Sequence, residues 1–296
     1  MRIGVIGASG QLGSELCQQL GNAAVPWTRA AIDLTDHVAL APMLRDSGVD
    51  LVINTAAYNK VDLSEDEPEL AFAVNAFGPR QLALACAELE LPLMHVSTDY
   101  VFGQEVHRDR PWQETDAPGP VSAYGTSKLT GEYFVRSLCP QHYVVRTCGL
   151  YGHAARQGAG KGNFVETMLR LGREREELRI VNDQHCTPTS VRDLAAALIE
   201  LAATEQFGLY HATNSGQTTW AELAAEVFSL EQMNTRVIPI PSAEYPTKAR
   251  RPRYSVLSCT RLEEVLGRPL PSWQEALRRY LEERRTPENP SARSAT

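Results

Sequence analysis

Arg2-Ile-Gly-Val-Ile-Gly7-Ala-Ser-Gly10-Gln-Leu-Gly13 decides how the rest of the chain is read. Arg2 to Ile6 is a short apolar run, and Ser14 to Leu20 beyond the glycines is amphipathic. Strand, glycine loop, helix is the order that a dinucleotide phosphate cradle requires. Gly7 permits the tight turn, Gly10 lets the backbone approach a pyrophosphate, and Gly13 allows the helix to pack closely on the strand. Gln11 and Leu12 then stand where free helix N–H groups hold an anion. The spacing is GxxGxxG rather than GxGxxG, and a tight turn without a ligand is the plainer alternative.

The next segments extend that reading. A second strand, about Ala23 to Trp27, ends in Thr28-Arg29, where a ribose-reading residue is expected. An acidic residue there favours NAD, whereas an arginine receives a 2′-phosphate. Arg29 therefore leans toward NADPH over NADH, against the alternative of a solvated surface arginine. Asp33-Leu34 is expected beside the adenine, with Thr35 as N-cap of a helix beginning at Asp36. A buried strand from Leu51 runs out into small residues, Ala56 and Ala57, followed by Tyr58. Small side chains suit a cofactor ribose lying on the backbone; close packing of strand on helix is the alternative. A long helix from Glu67 to Glu88 carries Asn75 inside an apolar stripe.

Leu91 to Val96 reads as another buried strand, and its C-terminal edge delivers Ser97-Thr98-Asp99-Tyr100. After a polar, turn-rich loop from Gly103 to Ser122, Tyr124-Gly-Thr-Ser-Lys128 opens a helix. Tyr124 and Lys128 are four apart and share one face. A phenol is a poor acid at neutral pH, and a nearby ammonium lowers its pKa. Thr98 can reach the same substrate oxygen from a different segment. With ten tyrosines in the chain, the pair alone is weak; its company with the glycine loop strengthens it.

At 296 residues the chain buries a sizeable core, and 43% hydrophobic with 22% charged residues is ordinary for a globular protein. A formal charge of −7 argues against nucleic acid as the main partner. No run approaches the roughly 18 apolar residues of a membrane span. The first residues contain no signal-peptide core, and six cysteines without metal or CxxC spacing suit a reducing compartment. A cytoplasmic protein is expected. A strand from His142 to Arg146 leads into Cys148 and Gly149, and Ala154 to Gly162 reads as a flexible loop. Beyond Asn163 the strand–helix alternation weakens. Helices are expected at Phe164 to Leu171, Arg192 to Ala203, Thr219 to Ser229 and Ser272 to Glu283. Short strands are expected at Leu178-Val181, Leu209-His211 and Val237-Ile240. The expected fold is α/β, a Rossmann-type doubly wound parallel sheet with a smaller mixed C-terminal substrate-binding lobe. Residues 1–152 with parts of 180–215 would form the cofactor domain, 153–285 mainly the lobe, and 286–296 a disordered tail. Lys248, Arg250, Arg251 and Arg253 form a basic cluster able to grip a diphosphate, with a solvated charge run as the alternative.

In these motifs and their order the chain resembles the extended short-chain dehydrogenase/reductase superfamily, and within it the dTDP-4-dehydrorhamnose reductases. The likeness spans roughly residues 1 to 285. It rests on the glycine loop, Val61-Asp62, Val74-Asn75-Ala76, Ser97-Thr-Asp-Tyr-Val-Phe102, Tyr124-Gly-Thr-Ser-Lys-Leu-Thr-Gly-Glu132, Asn163-Phe164-Val165, Thr187-Pro188-Thr189 and Arg251-Pro252. The resemblance implies hydride reduction of a 4-keto nucleotide sugar by NADPH, most simply dTDP-4-dehydro-β-L-rhamnose. It implies Tyr124 as proton donor, Lys128 on the nicotinamide ribose and Thr98 on the keto oxygen. Asp99, Tyr100, Gly149, Asn163 and Arg251 would serve the substrate. Family members can use Mg2+ at a subunit contact, but no metal-ligand cluster stands in this sequence; a homodimer is a further expectation. The family commonly has a tryptophan where this chain has Gly149. Another nucleotide-sugar reductase, epimerase or dehydratase is an open alternative. So is a non-catalytic subunit similar to the regulatory subunit of methionine adenosyltransferase, since fold alone does not fix function.

Overall fold

The computed structural model describes residues 1–36, 39–157 and 162–285. Both the 286–296 tail and part of the loop expected at 154–162 lie outside the described residues. The first half alternates regularly: β1 (Ile3–Ile6), α1 (Gln11–Leu20), β2 (Ala24–Trp27), α2 (Leu40–Ser47), β3 (Leu51–Asn54), α3 (Pro68–Phe72), α4 (Gly78–Glu88), β4 (Leu93–Thr98), α5 (Ala123–Leu138) and β5 (His142–Thr147). Next come β6 (Leu150–Tyr151), α6 (Phe164–Glu174), β7 (Glu177–Val181), β8 (His185–Cys186), β9 (Thr189–Ser190), α7 (Val191–Ala202) and β10 (Gly208–His211). The chain closes with β11 (Thr218–Thr219), α8 (Trp220–Leu230), β12 (Arg236–Ile240), α9 (Thr260–Leu266) and α10 (Trp273–Arg285).

Six strands form a parallel sheet in the order β10-β5-β4-β3-β1-β2. Successive side chains of a strand point to opposite faces, so a sheet covered on both sides needs continuous apolar runs. Ile3, Val5, Leu51, Ile53, Met94, Val96, Tyr143 and Val145 face one core, with α1 and α7. Ile6, Val52, Leu93 and Val144 face the other, with α2, α4 and α5. A third core, under α6, α8 and α10, belongs to the C-terminal segments, where β7 pairs with β12. The loop from Gly103 to Ser122 is fastened rather than loose: Trp112 stacks on Phe102 with ring centroids 4.2 Å apart, and Arg108 covers the indole.

Two expectations need correction. No helix begins at Asp36: α2 starts at Leu40, and Thr35 instead donates its backbone N–H and hydroxyl to Asp33 Oδ1 at 2.9 and 2.7 Å. The short Asp33–Thr35 turn satisfies those groups locally, so the helix waits for the next apolar stretch. The long helix is also not uniform, because Ala73–Phe77 is a π turn between α3 and α4. That turn sets Asn75 inward, and its backbone carbonyl leaves room for no side chain at residue 131: a Cβ there would lie 2.2 Å from it.

A charged cluster fills the joint between β4, α5 and β5. Glu132 accepts from Arg146 Nη2 at 2.7 Å and Nε at 3.0 Å, and from Ser97 Oγ at 2.5 Å, with both ionic side chains at 1% exposure or less. Removing one charge from such a pair strands the other in low dielectric. Glu132→Gln is expected to lower unfolding free energy by about 3–5 kcal/mol, read as a fall in the urea midpoint; a loss below about 1 kcal/mol would mean that the joint is solvated.

Candidate active site

The glycine loop forms as its composition dictates. Gly7 has φ +82°, and a Cβ on it would meet Thr55 Oγ1 at 2.7 Å and the Ala56 nitrogen at 2.9 Å. A Cβ on Gly13 would fall 2.1 Å from the Gly7 carbonyl oxygen. Gly10 is the N-cap of α1; it offers no side-chain cap, and the first turn carries no acidic residue. The positive end of the helix is thus left open to an anion.

A cleft of about 600 Å³ runs from this loop along the C-terminal edge of the sheet. Gly7, Gly10, Gln11, Leu12, Arg29, Asp33, Leu34, Ala56, Ala57 and Tyr58 line it, as do Thr98, Asp99, Tyr100, Tyr124, Lys128 and Gly149. The cradle that excludes side chains, the uncapped helix end and the cleft's length fit a dinucleotide. Arg29 is 80% exposed in its side chain and lies 3.3 Å from Asp33 Oδ2. Asp33 is held below the usual carboxylate range, chiefly by the hydrogen bonds from Thr35.

At the far end Thr98, the last residue of β4, sits in register with Thr147 of β5. Ser122 caps α5 through a 3.1 Å bond from the Gly125 nitrogen, which fixes Tyr124 in the first turn. The Tyr100 and Tyr124 rings meet edge to face, 5.7 Å between centroids. Thr98 Oγ1 donates to Asp99 Oδ1 at 3.1 Å and accepts from the Tyr100 nitrogen at 3.2 Å. Asp99 is 2% exposed, its Oδ2 has no hydrogen-bond partner among the described residues, and burial raises its pKa against the lowering influence of the Cys148, Ser255 and Thr98 side chains.

Lys128 is buried and donates to the Val96 carbonyl at 2.7 Å. Burial pushes its pKa down to about 8, against the attraction of Glu132. His95 Nε2 stands 3.5 Å from the amine. Asn54 Oδ1 accepts from the Ala56 nitrogen, so its Nδ2 donates to His95 Nδ1 at 3.1 Å. The imidazole proton is therefore on Nε2, facing the lysine, and offers the ammonium no acceptor. The expected lowering of the Tyr124 pKa by Lys128 is not what this arrangement gives. The amine is turned to Val96, and burial pushes the phenol up to about 12, partly offset by the Thr98 hydroxyl.

Two expected substrate residues stand outside the cleft wall. Asn163 caps α6, accepting from the Glu166 nitrogen at 2.9 Å and donating to Gln11 Oε1 at 3.0 Å. Arg251 forms a two-pronged bridge to Asp62, at 2.8 and 3.2 Å, and Lys248 pairs with Asp66. Half of the basic cluster is thus engaged with the segment after β3. Asn75 proves to be a clamp: it holds the Tyr58 N–H and C=O at 2.8 and 3.0 Å and donates to Ser127 Oγ at 3.0 Å. Sequence reading passed over His95, Asn54 and Trp220. A lone histidine inside the apolar run Leu91 to Val96 was the one available signal for the first.

The sheet, the glycine loop and the threonine, tyrosine and lysine at the other end of the cleft place the chain among the extended short-chain dehydrogenases and reductases, which are Rossmann-type folds. Residues 1–286 match the family model described as the RmlD substrate binding domain, and the chain belongs to that family. A dTDP-4-dehydrorhamnose reductase of Sinorhizobium fredii is 40% identical, covering 95% of this chain and 97% of its own. The crystal structure of such a reductase from Clostridium acetobutylicum is 37% identical and superposes with a TM-score of 0.91, over 97% of this chain and 100% of that one. The Bacillus anthracis enzyme, solved in complex with NADP, is 36% identical with a TM-score of 0.89, over 95% and 99%.

The buried amine has a stability signature. Unfolded, Lys128 keeps its proton to about pH 10.4; folded, it loses it near 8. Its burial therefore costs stability in full below pH 8, and the cost fades as pH rises toward the unfolded value. Lys128→Met is expected to raise unfolding free energy at pH 7 by about 2 kcal/mol, after the lost bond to Val96 is counted. The gain should shrink above pH 8 and vanish before about pH 10.4, where the lost Val96 bond alone remains; a variant less stable than wild type at pH 7 would contradict it.

Proposed function

We propose that this protein reduces the 4-keto group of dTDP-4-dehydro-β-L-rhamnose to yield dTDP-L-rhamnose, with NADPH as reductant, in the cytoplasm. The observation that carries the reading is the meeting of Thr98, Tyr124 and Lys128 at one end of a cleft whose other end is the glycine cradle. Gly7, Gly10, Gln11 and Leu12 hold the diphosphate of the cofactor. Arg29 takes the 2′-phosphate beside Asp33 and Leu34, and Ala56, Ala57 and Tyr58 back the adjoining ribose. Lys128 holds the nicotinamide ribose. NADPH, when bound, supplies the hydride that adds to the carbonyl carbon. As the carbonyl oxygen gains charge, Tyr124 gives it the phenolic proton and the Thr98 hydroxyl stabilises it by hydrogen bonding. A phenol near 12 is protonated at neutral pH, as a donor in the reducing direction must be. Asp99, Tyr100 and Gly149 line the sugar site. Arg251 and Asn163 support it from behind the wall, through Asp62 and Gln11. In this reading residues 1–152, with parts of 180–215, bind the cofactor and 153–285 cover the sugar nucleotide.

The direct test is NADPH oxidation with dTDP-4-dehydro-β-L-rhamnose, with product configuration determined by NMR and NADH run in parallel. Tyr124→Phe should lower kcat by about 10²–10⁴-fold while binding NADPH as wild type does; retained turnover would remove Tyr124 from its role.

The proposal includes a homodimer. Leu70, Phe77 and Leu84 recur at seven-residue spacing and are 40, 47 and 38% exposed, with Tyr133 at 50% nearby in sequence to Phe134, which packs on Phe77. Sedimentation velocity should read twice the 32.7 kDa chain mass, and a monomer at micromolar concentration would refute it.

A further inference from the structure

Trp220 also lines the cleft, and nothing in the reading above uses it. The chain has four tryptophans; Trp27, Trp112 and Trp273 are 7, 3 and 5% exposed, and Trp220 is the one that remains partly open. It is the first residue of α8, and its backbone is pinned by a reciprocal cap. The Glu222 nitrogen donates to Thr219 Oγ1 at 3.2 Å, while the Thr219 nitrogen donates to Glu222 Oε2 at 2.9 Å. Its ring lies against Phe164, 4.8 Å between centroids. The far corner of the indole, Cη2, is directed at Gly149: a Cβ there would lie 3.6 Å from it. Gly149 has φ +55°, a conformation that favours glycine, so the backbone itself keeps this space free of a side chain. Two residues earlier, Thr147 is in register with Thr98.

We propose that Trp220 is the apolar platform of the sugar site, and this rests on the function proposed above. Beside smaller apolar lining residues such as Val74 and Leu150, the cleft is lined by the polar or ionisable Thr98, Asp99, Tyr100, Tyr124 and Thr147. They suit the oxygens of a hexose. A 6-deoxyhexose also presents ring C–H bonds and a methyl group, which gain from the electron-rich face and apolar edge of an aromatic ring. The benzo edge, remote from the indole N–H, is the part that reaches the gap over Gly149. A ring held by its cap and by Phe164 loses little freedom when a ligand docks on it.

Two measurements test this. Titration of the enzyme, without NADPH, by dTDP-L-rhamnose should change tryptophan fluorescence where dTDP alone does not, and Trp220→Phe should abolish the change. In steady state, Trp220→Leu should raise KM for the keto sugar nucleotide about tenfold, with Trp220→Phe intermediate and the Kd of NADPH unaltered. An undiminished fluorescence response in Trp220→Phe overturns the proposal. So does an unchanged sugar KM, or a loss of NADPH affinity that equals or exceeds the loss for the sugar. If wild type neither turns over nor binds the sugar nucleotide, the proposed function itself falls; if wild type is active and only these shifts are missing, Trp220 alone is misassigned.

Discussion

The hydrogen bond from Lys128 Nζ to the Val96 carbonyl is the constraint on which the site depends. It fastens the first turns of α5 to the last residues of β4, and so fixes where Tyr124 stands relative to Thr98. An amine at 2% exposure with its pKa driven down to about 8 is a costly fastener. The surroundings offset that cost without removing it. One turn further along α5, Glu132 draws Ser97 and Arg146 together and locks the same strands. On the opposite side Asn75 joins the Tyr58 backbone to Ser127, whose hydroxyl donates to the Tyr124 carbonyl at 2.8 Å. Strand, helix and the loop after β3 are therefore joined in one hydrogen-bonded network.

What could be read beforehand was what local chemistry encodes. Gly7 and Gly13 announce a close backbone approach because nothing larger fits, and the structure shows both approaches at under 3 Å from an added Cβ. The sheet strands were legible because burial on two faces demands unbroken apolar runs such as Leu51 to Ile53. Tertiary contacts hid the rest. The start of α2 was misplaced because Thr35 bonds to Asp33 rather than to a helix turn. The two-residue strands such as Thr218–Thr219 carry no periodicity of their own and exist only through their partners, here His185 and Cys186. Arg251 looked like one cation of a free cluster because Asp62 lies 189 residues away in sequence.

The same limit explains the tyrosine. From spacing alone, an ammonium four residues away should lower the phenol's pKa. In the fold the ammonium faces a backbone carbonyl, and loss of solvation leads for both groups, lowering one and raising the other toward the neutral form. A phenol that keeps its proton at neutral pH suits reduction better than a phenolate paired with the ammonium would. A reduction consumes a proton at the carbonyl oxygen, so the donor must hold its proton until hydride arrives. The oxygen is a weak base in the ketone and a strong one as it becomes an alkoxide; a phenol of high pKa stays put against the first and yields to the second. Interactions that strengthen only as charge develops act on the transition state rather than on bound substrate. In the proposed mechanism the Thr98 hydroxyl adds to that selectivity, since a hydrogen bond to a growing negative charge gains most where the dielectric is low. Burial, which reads as a penalty in the stability of Lys128, thus also keeps the Tyr124 phenol protonated, the state that its proposed role as donor requires.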